Sequence, residues 1–329
     1  MRNTFAPMEG ITIYCYRNTH HKYFGEGLDY YYTPFLSVYK HHSIKKRDMR
    51  EILPENNADN GLRIIPQIMA NDSDEIIWAL NYLHERGYDE INLNMGCPVG
   101  TVVSKNKGSG MLSDPDRLYE IFSRVFEDKI TNEIKFTAKT RLGLTDPHEF
   151  ENILPVLNKF PFAAVIIHPR VRTQMYKGTP DMEMFKWAYD NSTNPVGYNG
   201  NIFVPQDYDN IINNYPDLYE IMMGRGLVAN PALAREIIGG KEMSLDELKG
   251  FMTDLEKNFK IEIPADESIM HKMKEIWFYV GNLLVTKDGA ESEPLIHKIR
   301  TAKNIAEYRN AVRNVYRECA MKGHDNKTS

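Results

Sequence analysis

Eight short apolar runs recur along the first two-thirds of the chain with helix-like stretches between them, and no other feature restricts the fold so tightly. A strand followed by an amphipathic helix and then another strand builds a parallel sheet, because the helix must carry the chain back across it. Eight such strands are the number that closes a barrel. The runs predict strands near residues 4–8, 30–33, 63–68, 90–94, 135–140, 164–168, 195–199 and 219–223. Helices are expected over 14–23, 73–86, 114–126, 146–159, 181–191, 205–213 and 231–238, with a further one around 44–53. Ser73, Asp114 and Asp146 stand where N-caps belong, and Pro115 and Pro147 fall at first helical positions, where the missing N–H costs nothing. The expected fold class is α/β, a TIM (β/α)8 barrel.

After Gly239-Gly240 the strand signals stop. Amphipathic stretches at 245–259, 271–284, 294–299 and 305–317 predict a small all-helical domain behind the barrel. The expected division is a barrel over 1–242, a helical domain over 243–322 and a frayed polar tail over 323–329. A length of 329 residues suits a barrel of roughly 250 residues plus a small domain. Hydrophobic residues at 42% and charged ones at 26% read as globular, and no apolar run reaches the roughly 18 residues of a membrane helix. With no leader-like apolar core at its start, a cytoplasmic, monomeric protein away from membranes is expected. Cys15, Cys97 and Cys319 are too widely and irregularly spaced for a disulfide framework, and no metal site is expected. Cys15 and Cys319 read as small buried hydrophobes.

Cys97 is different. Ile91 and Leu93 alternate as in a strand, and Gly96, Pro98 and Gly100 then forbid its continuation, which leaves Asn94 and Cys97 at the strand's C-terminal mouth. In a parallel barrel that end is where chemistry is done. The stretch Asn94-Met95-Gly96-Cys97-Pro98, with Lys105, Lys107, Gly108, Ser109 and Gly110 behind it, resembles the signature of the tRNA-dihydrouridine synthases, flavoenzymes that reduce uridines in transfer RNA. The resemblance runs from Ala6 into the C-terminal helices, with several spaced motifs in the family's order.

The other strand ends carry those motifs. Strand one leads into Ala6-Pro7-Met8-Glu9-Gly10, where Pro7 and Gly10 let backbone approach a flat ligand or form an ordinary turn. In the family Ala-Pro-Met touches the flavin, which implies that role for Pro7, Met8 and Glu9, although many members carry Ala at the Glu9 position. Gln67 closes strand three; its amide can donate to and accept from a heterocycle's edge, or simply face solvent. The resemblance favours flavin contact, and it places Asn94 at the cofactor too. Lys139 and Arg141 alternate onto one side of strand five, and two cations there need an anion to meet. The family's lysine contacts the flavin, whereas Arg141 fits the cofactor's edge, an RNA phosphate or a rim salt bridge. His168 ends strand six, near the flavin in family members. The following segment, with Arg170, Arg172, Tyr176, Lys177 and Gly178, resembles one expected to approach the RNA.

Asn199-Gly200-Asn201 and Met223-Gly224-Arg225-Gly226 follow strands seven and eight, where barrels commonly hold a phosphate with backbone N–H groups. Together they point to a phosphorylated cofactor, which the family supplies as FMN; NADPH or NADH is its expected reductant. An unperturbed thiol, with a pKa of about 8.5, is mostly protonated at neutral pH, so Cys97 is expected to give a proton to carbon 5 of uracil while hydride reaches carbon 6. Lys105 and Lys107, in the flexible stretch after the thiol, are candidate substrate contacts or simply solvated loop lysines.

A net charge of −5 does not advertise a nucleic-acid binder, yet a local strip can supply phosphate contacts. From Pro294 onward Lys298, Arg300, Lys303, Arg309, Arg313, Arg317, Lys322 and Lys327 outnumber Glu307, Glu318 and Asp325. Arg309, Arg313 and Arg317 recur every fourth residue along one helix face, and the family grips tRNA with its helical domain. A second basic cluster, Lys40, His41, His42, Lys45, Lys46, Arg47 and Arg50, follows strand two. The expected protein is an FMN-dependent tRNA-dihydrouridine synthase. A small-molecule pyrimidine flavoenzyme on the same barrel, of the dihydroorotate or dihydropyrimidine dehydrogenase kind, is the alternative, followed by a tRNA-binding protein without catalysis.

Overall fold

The computed structural model describes residues 1–57 and 61–323. Its eight barrel strands are Arg2–Phe5, Tyr30–Tyr32, a third split into Ile64–Ile65 and Gln67–Met69, Glu90–Met95, Lys135–Arg141, Ala164–His168, Val196–Tyr198 and Glu220–Met223. Each pairs in parallel with the next, and the eighth pairs with the first through Thr4 opposite Met222, so the barrel closes. Pro66 causes the split, having no N–H for the ladder. Its carbonyl still accepts from the Asn92 amide at 2.9 Å, so the strand keeps its place.

Side chains alternate between the two faces of each strand, and the barrel sorts them accordingly. Phe5, Ile91, Leu93, Phe136, Val165, Ile167 and Ile221 point outward into the core shared with the helices. Ala6, Tyr32, Ile65, Ala164, Ile166 and Met222 form a separate inner cluster. Arg2 closes the barrel's lower end, donating to Glu220 at 2.9 Å, to Glu90 at 2.8 Å and to the Tyr32 hydroxyl at 3.3 Å.

Helices Tyr14–Phe24, Ser73–His84, Pro115–Glu127, Phe150–Leu157, Met182–Asn191 and Pro205–Asn214 clothe the barrel. Asp114 caps its helix as the sequence predicts. For Ser73–His84 the cap is Asp72 instead, one residue earlier, accepting from Asp74 and Glu75. The stretch predicted as one helix over 146–159 opens as a 3-10 turn, Pro147–Glu149, because the Glu149 carboxylate turns back onto the amides of Leu144, Thr145 and Asp146. Where a helix is expected around 44–53 there is a hairpin, Leu36–Tyr39 with Ser43–Ile44, and only a single turn, Lys46–Met49.

Helices Leu245–Glu262, Asp266–Val280, Glu293–Thr301 and Ile305–Glu318 follow. The helix expected at 271 begins five residues sooner, its polar first turn of Asp266 and Glu267 suiting the helix dipole rather than showing apolar periodicity. This region is not wholly helical, since Leu284–Thr286 pairs antiparallel with Cys319–Met321, a ribbon too short to show a period. Phe251 of Leu245–Glu262 packs on Tyr16 and Phe24, and Lys272 donates to the Gly10 carbonyl, so the helices sit against the first barrel loop. Cys15 and Cys319 are buried as expected. Among the described residues no helix is long and apolar enough to cross a membrane. The expected tail lies, from residue 324, outside the described residues, and Asp325 and Lys327 with it.

Candidate active site

A cleft with about 950 Å³ of empty space, part of it open to solvent, occupies the barrel's C-terminal end. Strand periodicity delivers its floor. Gln67, Asn94, Lys139, Arg141 and His168 lie on the inward faces of their strands, Asn199 directly follows strand seven, and each lines the cleft. Pro7, Met8 and Glu9 come from the first loop, Cys97 from the turn after strand four, and Gly200, Gly224 and Arg225 from the loops after strands seven and eight.

The turn around Cys97 is built by Asn94. Its side-chain oxygen accepts from the Gly96 amide at 3.0 Å and the Cys97 amide at 2.9 Å, while Ser109 returns to hold the Cys97 carbonyl from both its hydroxyl and its amide. The thiol is half-buried, and burial raises its pKa above the ordinary value, with Glu9 adding to the effect and Lys139 and Arg141 opposing it. Cys97 therefore keeps its proton at neutral pH.

Three cations, Lys139, Arg141 and Arg225, line the cleft and a fourth, Arg170, is buried against His168; none has a carboxylate partner among the described residues. Arg141 donates to the carbonyls of Gly96 at 2.9 Å and Val171 at 3.1 Å, and burial lowers it to about 10. Arg225 donates to Asn201 at 2.8 Å and stacks 5.1 Å from the Tyr176 ring. Arg170 donates to the Gly178 carbonyl at 2.6 Å and to Asn201 at 3.2 Å. Lys139 is lowered to about 7, first by burial and then by Arg141. An uncompensated cluster of this kind calls for an anion.

His168 sits in the same field. Burial, then Lys139, Arg141, Arg170 and Arg225, push it well below its usual range, so it is neutral. The Arg170 guanidinium lies 3.0 Å from its Nε2. A guanidinium can only donate, so Nε2 accepts and the imidazole proton resides on Nδ1.

Several expected contacts lie elsewhere. Asn201 does not line the cleft; it stands behind it and accepts from both Arg170 and Arg225. Arg170 is itself buried off the cleft, and Lys105 is also absent from its lining. The stretch expected to be flexible after the thiol is folded, as a turn Gly100–Val103 and a 3-10 helix Gly108–Ser113, and Lys107 is tied to Glu75 at 2.9 Å and the Val38 carbonyl at 2.6 Å. Gly200 is glycine for an internal reason, since a Cβ there would fall 2.0 Å from the Tyr198 hydroxyl. Arg309 is occupied by Glu256 at 2.8 Å, and Arg317 by its neighbour Glu318. Arg313 has no carboxylate partner among the described residues.

Sequence reasoning missed Pro34, Phe35, Val99 and Met175, which complete the cleft. Pro34 and Phe35 come from a loop without a motif, whereas Val99 and Met175 are unspecified positions beside or within recognised segments. Met175 carries one detectable signal only in three dimensions, a φ of 52° that is rare for a branchless apolar side chain.

The residues fit a flavin. The cations would meet a phosphate and an electron-rich ring, Gln67 and Asn94 would offer amide groups to a heterocycle, and Gly224 keeps backbone open beside Ala6 and Met8. The family model described as Dihydrouridine synthase (Dus) matches residues 4–284. The tRNA-dihydrouridine(16) synthase of Neisseria meningitidis serogroup B is 26% identical over 284 residues, covering 84% of this chain and 83% of the relative. The tRNA-dihydrouridine synthase B of Shewanella oneidensis is 28% identical, covering 70% of this chain and 69% of the relative. Among solved structures, histamine dehydrogenase from Rhizobium sp. 4-9 superposes with a TM-score of 0.53 at 13% identity, covering 77% of this chain and 49% of its own. Morphinone reductase does so with 0.52 at 11% identity, covering 73% and 86%. At such identities the likeness is one of fold.

Proposed function

This chain belongs to the dihydrouridine synthase family, and from that premise we propose that it reduces uridines in transfer RNA to 5,6-dihydrouridine, using the cleft at the barrel's C-terminal end. The observation that carries the reading is a protonated thiol, Cys97, facing a cleft whose lining cations, Lys139, Arg141 and Arg225, have no acidic partner among the described residues. A flavin mononucleotide held by Met8, Gln67, Lys139, His168, Gly224 and Arg225 would supply the hydride for carbon 6 of the uracil, drawn in turn from NADPH.

The chain's own residues do the rest. Asn94 holds the Cys97 turn so that the sulfur stays at the mouth of strand four, and the raised thiol retains the proton that carbon 5 requires. Neutral His168, with its proton on Nδ1, is a hydrogen-bond donor that adds no further charge to a crowded cationic site. Exposed Tyr176 lines the cleft with the buried Arg141 guanidinium 5.5 Å from its ring, and a base displaced from the RNA would enter past it. Basic residues of the terminal helices and of the segment around Lys45 to Arg47 supply phosphate contacts, and such work on tRNA belongs in the cytoplasm.

Cys97→Ala tests the assignment. Dihydrouridine formation in tRNA should fall by about two to four orders of magnitude, the usual share of a positioned acid, while FMN binding persists. Wild-type rates in the variant would remove the proton-donor role.

A further inference from the structure

Asn92 lies one layer below the cleft, fully buried and absent from its lining. It is the middle of a chain of side-chain hydrogen bonds that crosses three strands. Asn92 Nδ2 donates to Thr137 Oγ1 at 2.9 Å, Gln67 Nε2 donates to Asn92 Oδ1 at 2.7 Å, and Asn94 Nδ2 donates to Gln67 Oε1 at 2.7 Å.

The direction of this chain is not a free choice. A side-chain amide has two ends of nearly the same shape, so its orientation must come from its partners. Here both ends of the chain rest on backbone groups whose identity is fixed. Asn94 faces the amides of Gly96 and Cys97, which only donate, so the atom beside them is oxygen and the nitrogen turns to Gln67. Gln67 must then show its oxygen to Asn94 and its nitrogen to Asn92, and Asn92 its nitrogen to Thr137. At the far end the Thr137 hydroxyl leans on the Ile91 carbonyl at 3.5 Å, which only accepts, leaving the threonine oxygen to receive Asn92. Reversing Asn92 alone would set N–H against N–H at Gln67.

The unused valences follow by subtraction. Gln67 retains one N–H and one lone pair, and Asn94 retains one N–H, its oxygen being filled by two amides. Both residues line the cleft. Read across the floor, they present a donor, an acceptor and a donor. An imide edge, carbonyl then N–H then carbonyl, is the complement of that pattern. We propose that Asn92 is a positioning residue which, through Gln67, fixes this donor–acceptor–donor floor and so selects an imide-bearing ring. The proposal rests on the functional reading above, in which both the flavin ring and the uracil carry such an edge.

Asn92→Leu removes the anchor while keeping volume, freeing the Gln67 amide to rotate. Asn92→Asp keeps an acceptor for Gln67, and the Thr137 hydroxyl can turn to donate to it. Purified apoprotein is titrated with FMN by fluorescence, visible spectra are recorded, and KM for tRNA is measured with FMN saturating. Asn92→Leu should weaken FMN binding by about tenfold, the worth of one oriented hydrogen bond, and shift the flavin's visible bands, with Asn92→Asp within about threefold of wild type. Unchanged FMN binding with a tenfold higher KM for tRNA in Asn92→Leu, restored in Asn92→Asp, assigns the edge to the uracil instead. If neither quantity moves, the positioning role is overturned. Thr137→Val, nearly the same shape, covers the case in which Asn92→Leu does not fold, and is expected to weaken the same quantity by about threefold; no change there overturns the role equally. A wild-type protein that binds no FMN overturns the functional reading, and this inference with it.

Discussion

Lys139 shows how far a single side chain can depart from its ordinary behaviour when the fold surrounds it. Burial and the adjacent Arg141 bring it to about 7 from an amine's usual value above 10, so at pH 8 it is mostly neutral in the free protein. A ligand that accepts from the ammonium raises it again, and binding then takes up a proton. The sign follows directly: affinity is greatest below pH 7 and declines as pH rises through 7, approaching tenfold per unit until the bound-state pKa is reached. FMN titrations at pH 6.5, 7.5 and 8.5 should show this decline, and Lys139→Met should abolish it. Sequence alternation alone placed Lys139 and Arg141 on one side of a strand, but only the packed barrel shows that neither finds a carboxylate among the described residues. Asn92 escaped sequence reasoning altogether, because a polar residue inside a strand has no spacing that separates a structural hydrogen bond from a positioning one.

The segment that follows Cys97 acts as one folded element. Lys107 pins it to Glu75 and Val38, Ser109 grips the Cys97 carbonyl, and Gly108 at φ 57° passes so close that a Cβ would lie 2.9 Å from that of Cys97. Gly108→Ala is therefore strained by its backbone and by contact with the thiol residue. Turnover measured with saturating FMN should fall by about tenfold or more while flavin affinity stays close to wild type. Helix Ile305–Glu318 teaches the opposite lesson about spacing. Its arginines share a face as the sequence predicts, yet Arg309 is committed to Glu256 on Leu245–Glu262 and Arg317 to Glu318. Arg313 is the cleaner probe of RNA contact. Arg313→Glu should weaken tRNA binding severalfold and lower its salt dependence without moving the melting temperature, whereas Arg309→Glu should lower that temperature as well. Filter binding over a salt series, beside thermal melts, checks both; unchanged affinity in Arg313→Glu would remove this face from the interface.

Across the whole molecule, the barrel's two ends divide stability from chemistry. At the lower end Arg2 gathers strands one, two, four and eight through Glu90, Glu220 and Tyr32. Arg2→Ala leaves the buried Glu220 without its cation and should cost about 3 kcal/mol or more, read as an earlier denaturation midpoint. FMN affinity of the folded fraction should hold, because the cleft lies at the other end; a loss of affinity equal to that of a cleft mutation would contradict this separation. The eight strands, their order and the strand-end residues Gln67, Asn94, Cys97, Lys139, His168 and Arg225 were all legible in the sequence, since apolar alternation and Gly-Pro breaks are local properties that survive without neighbours. What only the tertiary structure decided is which of those groups are spent on the protein itself. Asn201 and Arg309 satisfy internal partners, and Asn94 and Gln67 are left with particular free valences. Hydrogen bonds and ion pairs between residues tens to hundreds of positions apart have no signature in the order of the chain, and they decide what a cleft can offer.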